Sequence, residues 1–127
     1  MQKINSVKDL EVFKKAHYLT LMIYKSTKDF PVDEKFGLIS QMRRAAASIG
    51  ANLMEGSHRL NKKEFRQFVG IAKGSVGELK YHLLLARDLE YLPNDKYTFL
   101  GKEAEEISRM LHGLANTLAN VKTDTLD

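Results

Sequence analysis

Apolar positions along the chain recur at steps of three and four residues, which is the spacing of one face of an α-helix. The pattern predicts four helices, at about residues 7–29, 33–58, 62–91 and 95–121. The fourth has the regular alternation of a bundle-helix seam. Its apolar positions are Tyr97, Leu100, Ala104, Ile107, Leu111, Leu114, Leu118 and Val121.

The two prolines of the chain and one capping residue mark the limits of these helices. Pro31 and Pro93 each follow a helical segment, where a residue that cannot continue a helix is expected. Ser6 is the predicted N-cap of the first helix, with Asp9 as its capping partner. The apolar face of the first helix spans roughly 200°, wider than the usual stripe of about 100°, which indicates more than one neighbour.

The third helix has the clearest predicted start. Asn61 is its N-cap and Glu64 the reciprocal capping residue. Leu60 and Phe65 stand at the two positions of a hydrophobic staple across this cap. We therefore expect a sharply defined turn between the second and third helices.

Four helices of roughly 23 to 30 residues with short connections favour an antiparallel up-down-up-down bundle. No segment has the alternation of a β-strand. The length of 127 residues suits one core, so we expect a single domain over residues 1–127. The predicted fold class is all-α, a four-helix bundle.

Composition bears on the solubility and the cellular compartment of the protein. The chain is 43% hydrophobic and 28% charged, and no apolar run approaches the roughly 18 residues that span a bilayer. Its first residues lack the pattern of a signal peptide, and it contains no cysteine. We expect a soluble protein of the cytoplasm without a membrane partner.

Charge is unevenly distributed around a net charge of +4. Residues 1–66 carry 13 Lys and Arg against 7 Asp and Glu, whereas residues 67–127 carry 7 against 9. A basic half favours polyanionic partners in general without indicating any chemistry.

The strongest basic cluster adjoins the start of the third helix, where Arg59, Lys62 and Lys63 lie against an unfavourable helix dipole. Free amide groups at a helix N-terminus bind anions, so these cations are candidates for phosphate contact. A basic stripe with a seven-residue repeat continues along the helix; a solvated flank is the favoured explanation of it, and contact with a polyanion is the alternative. The stripe consists of Arg66, Lys73, Lys80 and Arg87, and the nucleic-acid candidates are Arg59, Lys62, Lys63, Arg66, Lys73, Lys80, Arg43 and Arg44.

Glycines on the predicted outer face of the third helix favour self-association. Each costs about 1 kcal/mol relative to alanine, so Gly70, Gly74 and Gly77 favour close approach of a second backbone. The first helix also has apolar residues on its polar side. The interface candidates are Gly70, Gly74, Gly77, Tyr81, Tyr18 and Met22.

The stretch RRAAASIGANLMEG, residues 43–56, has an unusually small middle for a helix. Its small residues favour close helix packing over a phosphate loop. Ser48, Asn52 and Glu55 are nearly aligned and predict a hydrogen-bond and charge network at that contact; a substrate or RNA site is the alternative.

Common catalytic and metal-binding motifs are missing. Glu55 and His58 have the Glu-x-x-His spacing of di-iron bundles, which require two such motifs, but the sequence has one. There is no P-loop or G-x-S-x-G elbow. We expect no catalytic residue, no metal and no cofactor, and therefore a protein that is not an enzyme.

RRAAASIGANLMEG, followed by the EF of KKEFRQF and by GSVGEL, resembles the four-helix bundle family encoded in intervening sequences of bacterial 23S rRNA genes. The resemblance covers about Leu10 to Leu118, and Gly50 departs from it, since many relatives have proline there. It implies a bacterial cytoplasmic bundle that forms a ring-like homo-oligomer, most often a homopentamer. Many members have no assigned activity. The accessory variability proteins of diversity-generating retroelements, which work with a reverse transcriptase, have a similar fold and basic charge.

Two hypotheses follow. The first is a non-enzymatic oligomer that binds RNA or DNA phosphates through its basic surface. The alternative is a protein-interaction scaffold or an accessory subunit, for example of a reverse transcriptase, without direct nucleic-acid binding.

Overall fold

The computed structural model describes the backbone of residues 6–125 and the side chains of residues 6–119 apart from Asp9. Within that range, all regular structure is helical. The helices are α1 (Glu11–Thr27), α2 (Leu38–Ser57), α3 (Lys62–Asp88) and α4 (Asn94–Thr125). None of them combines the length and apolar character needed to cross a bilayer.

The four helices pack as an antiparallel bundle, as predicted. One side-chain contact at each junction shows the order around the bundle: Thr20 with Ala46, Ser48 with Ser75, Lys80 with Glu105, and Lys15 with Glu103. Each helix therefore packs against two others: α1 against α2, α2 against α3, α3 against α4, and α4 against α1. One end of the bundle contains the start of α1, the α2–α3 turn and the later part of α4.

The core lies along the axis and contains the residues that the helical spacing predicted. The fully or nearly fully buried apolar side chains of α3 and α4 are Val69, Ala72, Val76, Leu79, Leu83, Ala86, Leu100, Ala104, Ile107, Leu111 and Leu118. Tyr97 and Leu114 are half-buried against this core. The side chain of Val121 lies outside the described residues. The predicted seam of α4 is thus confirmed from Leu100 to Leu118.

The start of α1 differs from the prediction. A short 3-10 turn covers Val7–Asp9, and α1 begins only at Glu11 because Leu10 has an extended backbone. The Ser6 hydroxyl accepts a hydrogen bond from the Lys8 amide, so it caps the turn rather than the helix. Burial of Val7 in the core accounts for the bend. The predicted partner role of the Asp9 side chain lies outside the described residues.

The start of α2 also differs, at Leu38 instead of about residue 33. A 3-10 turn covers Val32–Glu34, and Gly37 precedes the helix. Glu34 explains this start, because its Oε1 accepts a hydrogen bond from the Leu38 amide at 3.1 Å. Its Oε2 accepts one from the Tyr91 hydroxyl at 2.9 Å. Glu34 thereby joins the start of α2 to the α3–α4 connection.

The start of α3 and its Asn61 cap are as predicted, but the staple is wrong, and the Glu64 carboxylate accepts no hydrogen bond from the Asn61 amide among the described residues. Asn61 Oδ1 accepts a hydrogen bond from the Glu64 amide at 2.8 Å, which satisfies one free donor of the first turn. Leu60 is 99% exposed and so cannot pack against Phe65. Phe65 is directed instead toward Gly56, where a Cβ would lie 2.9 Å from its ring. Packing against α2 takes precedence over the local staple.

The end of α3 is a Schellman motif, at Asp88 instead of about residue 91. The Tyr91 amide donates to the Ala86 carbonyl at 2.9 Å, and the Glu90 amide donates to the Arg87 carbonyl at 2.9 Å. This geometry requires a left-handed residue, and Glu90 has a φ of 65°. The turn reverses the chain so that α4 can begin at Asn94.

Candidate nucleic-acid interface

The basic turn, defined as Arg59, Lys62 and Lys63, projects from the end of the bundle between α2 and α3. All three residues are exposed, and the Asn61 cap between them fixes the first turn of α3. Lys62 and Lys63 are the first two residues of that helix, so their charges lie beside its unpaired amide groups. The chain therefore concentrates positive charge where the helix dipole is already positive.

The two lysines of the basic turn have no carboxylate partner among the described side chains. Among the residues whose side chains are described, no ion pair or side-chain hydrogen bond includes Lys62 or Lys63. Both ammonium groups are thus exposed to an external anion.

Arg59 is partly engaged. Its guanidinium forms an ion pair with Glu55 at 3.0 Å and stacks 4.7 Å above the ring of Phe68. This double contact holds the guanidinium against the bundle, so Arg59 presents a more fixed charge than its two lysine neighbours.

The predicted basic stripe lies along the junction of α3 and α4, and three of its four members contact that junction. Arg66 Nε donates to the Ala115 carbonyl at 2.9 Å. Lys80 donates to Glu105 at 2.6 Å. Arg87 pairs with Asp88 at 3.0 Å and stacks 4.5 Å above Tyr97. Three members of the stripe therefore hold α3 against α4. Lys73 is the exception, because it forms no ion pair or side-chain hydrogen bond among the described residues.

The cations of the stripe also lower the pKa of a carboxyl group on α4, that of Glu105. The hydrogen bond from Lys80 is the main cause that lowers the pKa of Glu105, and the charges of Lys80, Arg109 and Lys73 act in the same direction. Lys73 therefore lies close enough to Glu105 to interact with it, but no ion pair joins the two among the described side chains.

Arg43 and Arg44 serve contacts between helices. Arg43 Nε donates to the Thr27 hydroxyl at 3.0 Å, and its terminal nitrogen donates to the Tyr24 carbonyl at 3.2 Å. The Arg43 guanidinium also stacks 4.6 Å above the Tyr24 ring. Arg44 pairs with Glu78 across the α2–α3 junction. Both arginines lie away from the basic turn, along the length of α2.

The structure divides the predicted network of Ser48, Asn52 and Glu55 into separate contacts. Ser48 donates to the Ser75 hydroxyl at 2.6 Å and so links α2 to α3. Asn52 donates to the Ser48 carbonyl at 2.7 Å within its own helix. Glu55 binds Arg59, as described above. Ser75 was missed from the sequence, because the pattern within α2 does not identify a partner on another helix.

The glycine strip, defined as Gly70, Gly74 and Gly77, lies on the outer face of α3 as predicted. A Cβ added at any of the three would meet no other atom within 4 Å, apart from its chain neighbours and the local helix backbone. Tyr81 continues the strip and is 60% exposed. The space outside these three glycines is therefore open.

The two α1 candidates have different surroundings. Tyr18 is 52% exposed on the outside of α1. Met22 is half-buried against the core and lines a groove of about 310 Å³ with Phe99 and Leu100 of α4. Only Tyr18 of this pair faces fully outward.

His82 is a half-buried histidine that sequence reasoning did not assign. Its Nε2 lies 3.8 Å from Glu78, and its Nδ1 has no hydrogen-bond partner among the described residues. Burial is the main cause that lowers the pKa of His82; the charge of Arg44 adds to it, and Glu78 opposes it. His82 therefore joins the Arg44–Glu78 pair in one cluster of charges at the α2–α3 junction.

Glu55 and His58 do not combine as the di-iron spacing would require. Glu55 binds Arg59, whereas the His58 Nδ1 lies 2.9 Å from the Met54 carbonyl. In the part of the chain that the structure describes, no three His, Asp or Glu side chains come together as a metal site.

Fold and site together define a class: a small antiparallel helical bundle with an exposed basic turn at one end and the glycine strip on one flank. The chain belongs to the 23S rRNA-intervening sequence protein family, whose model matches residues 8–113. This confirms the family that RRAAASIGANLMEG and the GSVGEL element indicated.

A solved structure of the same fold supports this assignment. It is the crystal structure of a protein of unknown function from the S23 ribosomal protein family of Bacteroides thetaiotaomicron. It is similar to this chain with a TM-score of 0.74 and 25% sequence identity, covering 82% of this chain and 97% of its own. A search of curated proteins found no match.

Proposed function

We propose that this protein is a non-enzymatic oligomer that binds RNA or DNA phosphates through the basic turn. The observation that carries the proposal is the exposure of Lys62 and Lys63 at the N-terminus of α3, where neither forms an ion pair with a carboxylate among the described side chains. Their position is unfavourable for the helix alone, and a bound phosphate would reverse the sign of that interaction.

The contacts that the other candidate cations already make within the bundle determine how much each is expected to contribute to phosphate binding. Arg59 and Arg66 adjoin the turn but also hold contacts within the bundle. Lys73 lies farther along α3. Lys80, Arg43 and Arg44 are engaged between helices, so their contribution to binding would come from the long-range field only.

A salt series tests the proposal. The affinity of a generic structured RNA is measured at several salt concentrations for the unaltered protein and for Lys62→Ala/Lys63→Ala. Because each phosphate contact contributes about one unit to the slope of log affinity against log salt, the double variant should reduce that slope by about two. Binding should also weaken for every RNA sequence alike.

Lys25→Ala/Lys28→Ala is the matched control, since it removes two exposed lysines from the opposite end of the bundle. Its net charge equals that of the test variant. An equal loss of slope in both variants would mean that net charge, and not the basic turn, determines binding. Absence of binding by the unaltered protein at low salt would reject the proposal altogether.

We further propose that the protein assembles in a bacterial cytoplasm as a ring, and specifically as a homopentamer, which the family resemblance implies. The glycine strip supports self-association, because close approach of a second backbone would use the space that these glycines leave. Tyr81, beside the strip, would then be covered by the neighbouring copy.

A scaffold or accessory subunit, for example of a reverse transcriptase, is the second candidate function. The exposed ring of Tyr18 on α1 favours it, since a large aromatic side chain is a frequent anchor of protein interfaces. A pull-down that recovers one protein in nuclease-treated extract, and loses it with Tyr18→Ala, would support the scaffold. Recovery that is unchanged by Tyr18→Ala would exclude this surface.

A further inference from the structure

A groove of about 640 Å³ opens at the same end of the bundle as the basic turn. All four helices or their flanking turns contribute to its walls. The lining residues are Ser6, Val7, Lys8, Leu10, Met54, Ser57, His58, Phe65 and Leu114. This volume is within the range of roughly 300 to 1,000 Å³ found for small-molecule sites.

The walls of this end groove are mostly apolar, with a few polar groups at the edge. Phe65, Met54 and Leu114 supply aromatic, thioether and aliphatic surface. The His58 ring is held in place, because its Nδ1 must donate to the Met54 carbonyl 2.9 Å away. Its other nitrogen remains able to accept a hydrogen bond when the ring is neutral. The site therefore combines flat surfaces with a positioned polar edge.

Cations adjoin the end groove. Lys8 is exposed and lines it at the N-terminal 3-10 turn. Along the chain, Arg59 directly follows the lining residue His58, and Lys62 comes three residues before the lining residue Phe65, one turn earlier on α3. A ligand in the groove would thus have positive charge within reach of the walls that these residues form.

We propose that the end groove receives one unpaired base of a single-stranded nucleic acid whose phosphates are held by the basic turn. The inference rests on the proposed function and narrows its ligand to single strands. A base has two apolar faces and a polar edge, which match walls of Phe65 and His58 with nearby hydroxyl groups. Its phosphates match the flanking cations, and a paired base inside a duplex cannot reach such a groove.

The decisive comparison uses three ligands of equal length with the unaltered protein: a single strand, the same strand with abasic sites, and a duplex. Fluorescence anisotropy at one low salt concentration gives the three affinities. The intact strand should bind roughly 5- to 100-fold more tightly than the abasic strand, the range that stacking of one base supports. Equal affinities for the intact and abasic strands would overturn the inference while leaving phosphate binding in place.

Two substitutions at an exposed position separate stacking from charge. His58→Ala should abolish the preference for the intact strand without changing the salt slope, and His58→Phe should retain most of it because a flat ring remains. Lys62→Ala/Lys63→Ala should weaken the intact and abasic strands by the same factor. A preference that survives His58→Ala would remove His58 from the site, and binding to no strand at all would reject the proposed function as well.

Discussion

Gly56 lies where α2 and α3 come close together. A Cβ at this position would lie 2.6 Å from the Cβ of Phe68 and 2.9 Å from the ring of Phe65. Neither atom belongs to the free end of a flexible side chain, so relief would require movement of α3 itself. The last glycine of RRAAASIGANLMEG is therefore required by packing.

Gly56→Ala should lower the free energy of unfolding by about 1 to 3 kcal/mol, because an added methyl group overpacks this contact. Gly113→Ala is the control, since Gly113 is an exposed helical glycine with nothing within 4 Å of the added Cβ. The control should gain up to about 1 kcal/mol from helix propensity. Urea denaturation measures both, and a stabilised Gly56→Ala would contradict the packing.

We expect His82 to make the stability of the bundle depend on pH. Because burial lowers its folded pKa below the ordinary value of 6.5, the unfolded chain binds a proton that the folded chain does not. The stability that His82 contributes is complete above about pH 6.5 and is lost as the pH falls through the folded pKa. Arg44 and Glu78 are the charged groups that influence it.

We expect the free energy of unfolding to fall between about pH 7 and about pH 5, and to fall less in His82→Phe, which does not titrate. Urea denaturation at several pH values gives the comparison. His112→Phe, at an exposed position, controls for the loss of one histidine. The same pH dependence in the unaltered protein and in His82→Phe would show that this ring does not titrate differently on folding.

Helix ends show where local rules hold and where contacts across the fold replace them. Asn61 caps α3 as predicted, because an N-cap requires only a side chain and an amide three residues away. The starts of α1 and α2 were misplaced, because burial of Val7 and the reach of Glu34 to Tyr91 depend on distant parts of the chain. Such long-range contacts cannot be recognised from the periodicity of the sequence.

The candidate site follows the same division. The sequence located the cations of the basic turn and the outward face of the glycine strip, because both depend on position along one helix. It could not show that Arg66 donates to Ala115, 49 residues away, or that Arg43 binds the end of α1. Charge was predictable from the sequence, but the partner of each charge was not.

The Schellman motif at the end of α3 yields a test of the helix terminus. Glu90 has a φ of 65°, a conformation that costs an L-residue about 1 kcal/mol and glycine almost nothing. Glu90→Gly should raise the free energy of unfolding by about that amount. Asp88→Gly, two residues earlier and still helical, should lower it by roughly a few tenths of a kcal/mol, the difference in helix propensity between aspartate and glycine. Thermal unfolding measures both variants, and equal shifts in one direction would contradict the assigned motif.

The proposed contact between copies of the chain, through the outer face of α3, can be tested by mutation. In a ring built on the glycine strip, Gly74→Leu should convert the oligomer to the 14.5 kDa monomer without loss of helix, because a large side chain would occupy the open space that a second backbone would need. Light scattering gives the particle mass, and circular dichroism gives the helix content. Gly113→Leu on α4 is the control. A ring that survives Gly74→Leu, or an unaltered protein that is already 14.5 kDa, would exclude this interface.

The basic turn lies at the tip of the bundle and the glycine strip lies along its side, so the two surfaces are roughly perpendicular and do not compete. Copies related by a rotation axis parallel to the helices all point their tips in the same direction. Such a ring would present several weak phosphate contacts on one face. A polyanion that engages two tips would be held by avidity, so that long strands are retained and short ones released without any change in the individual contacts.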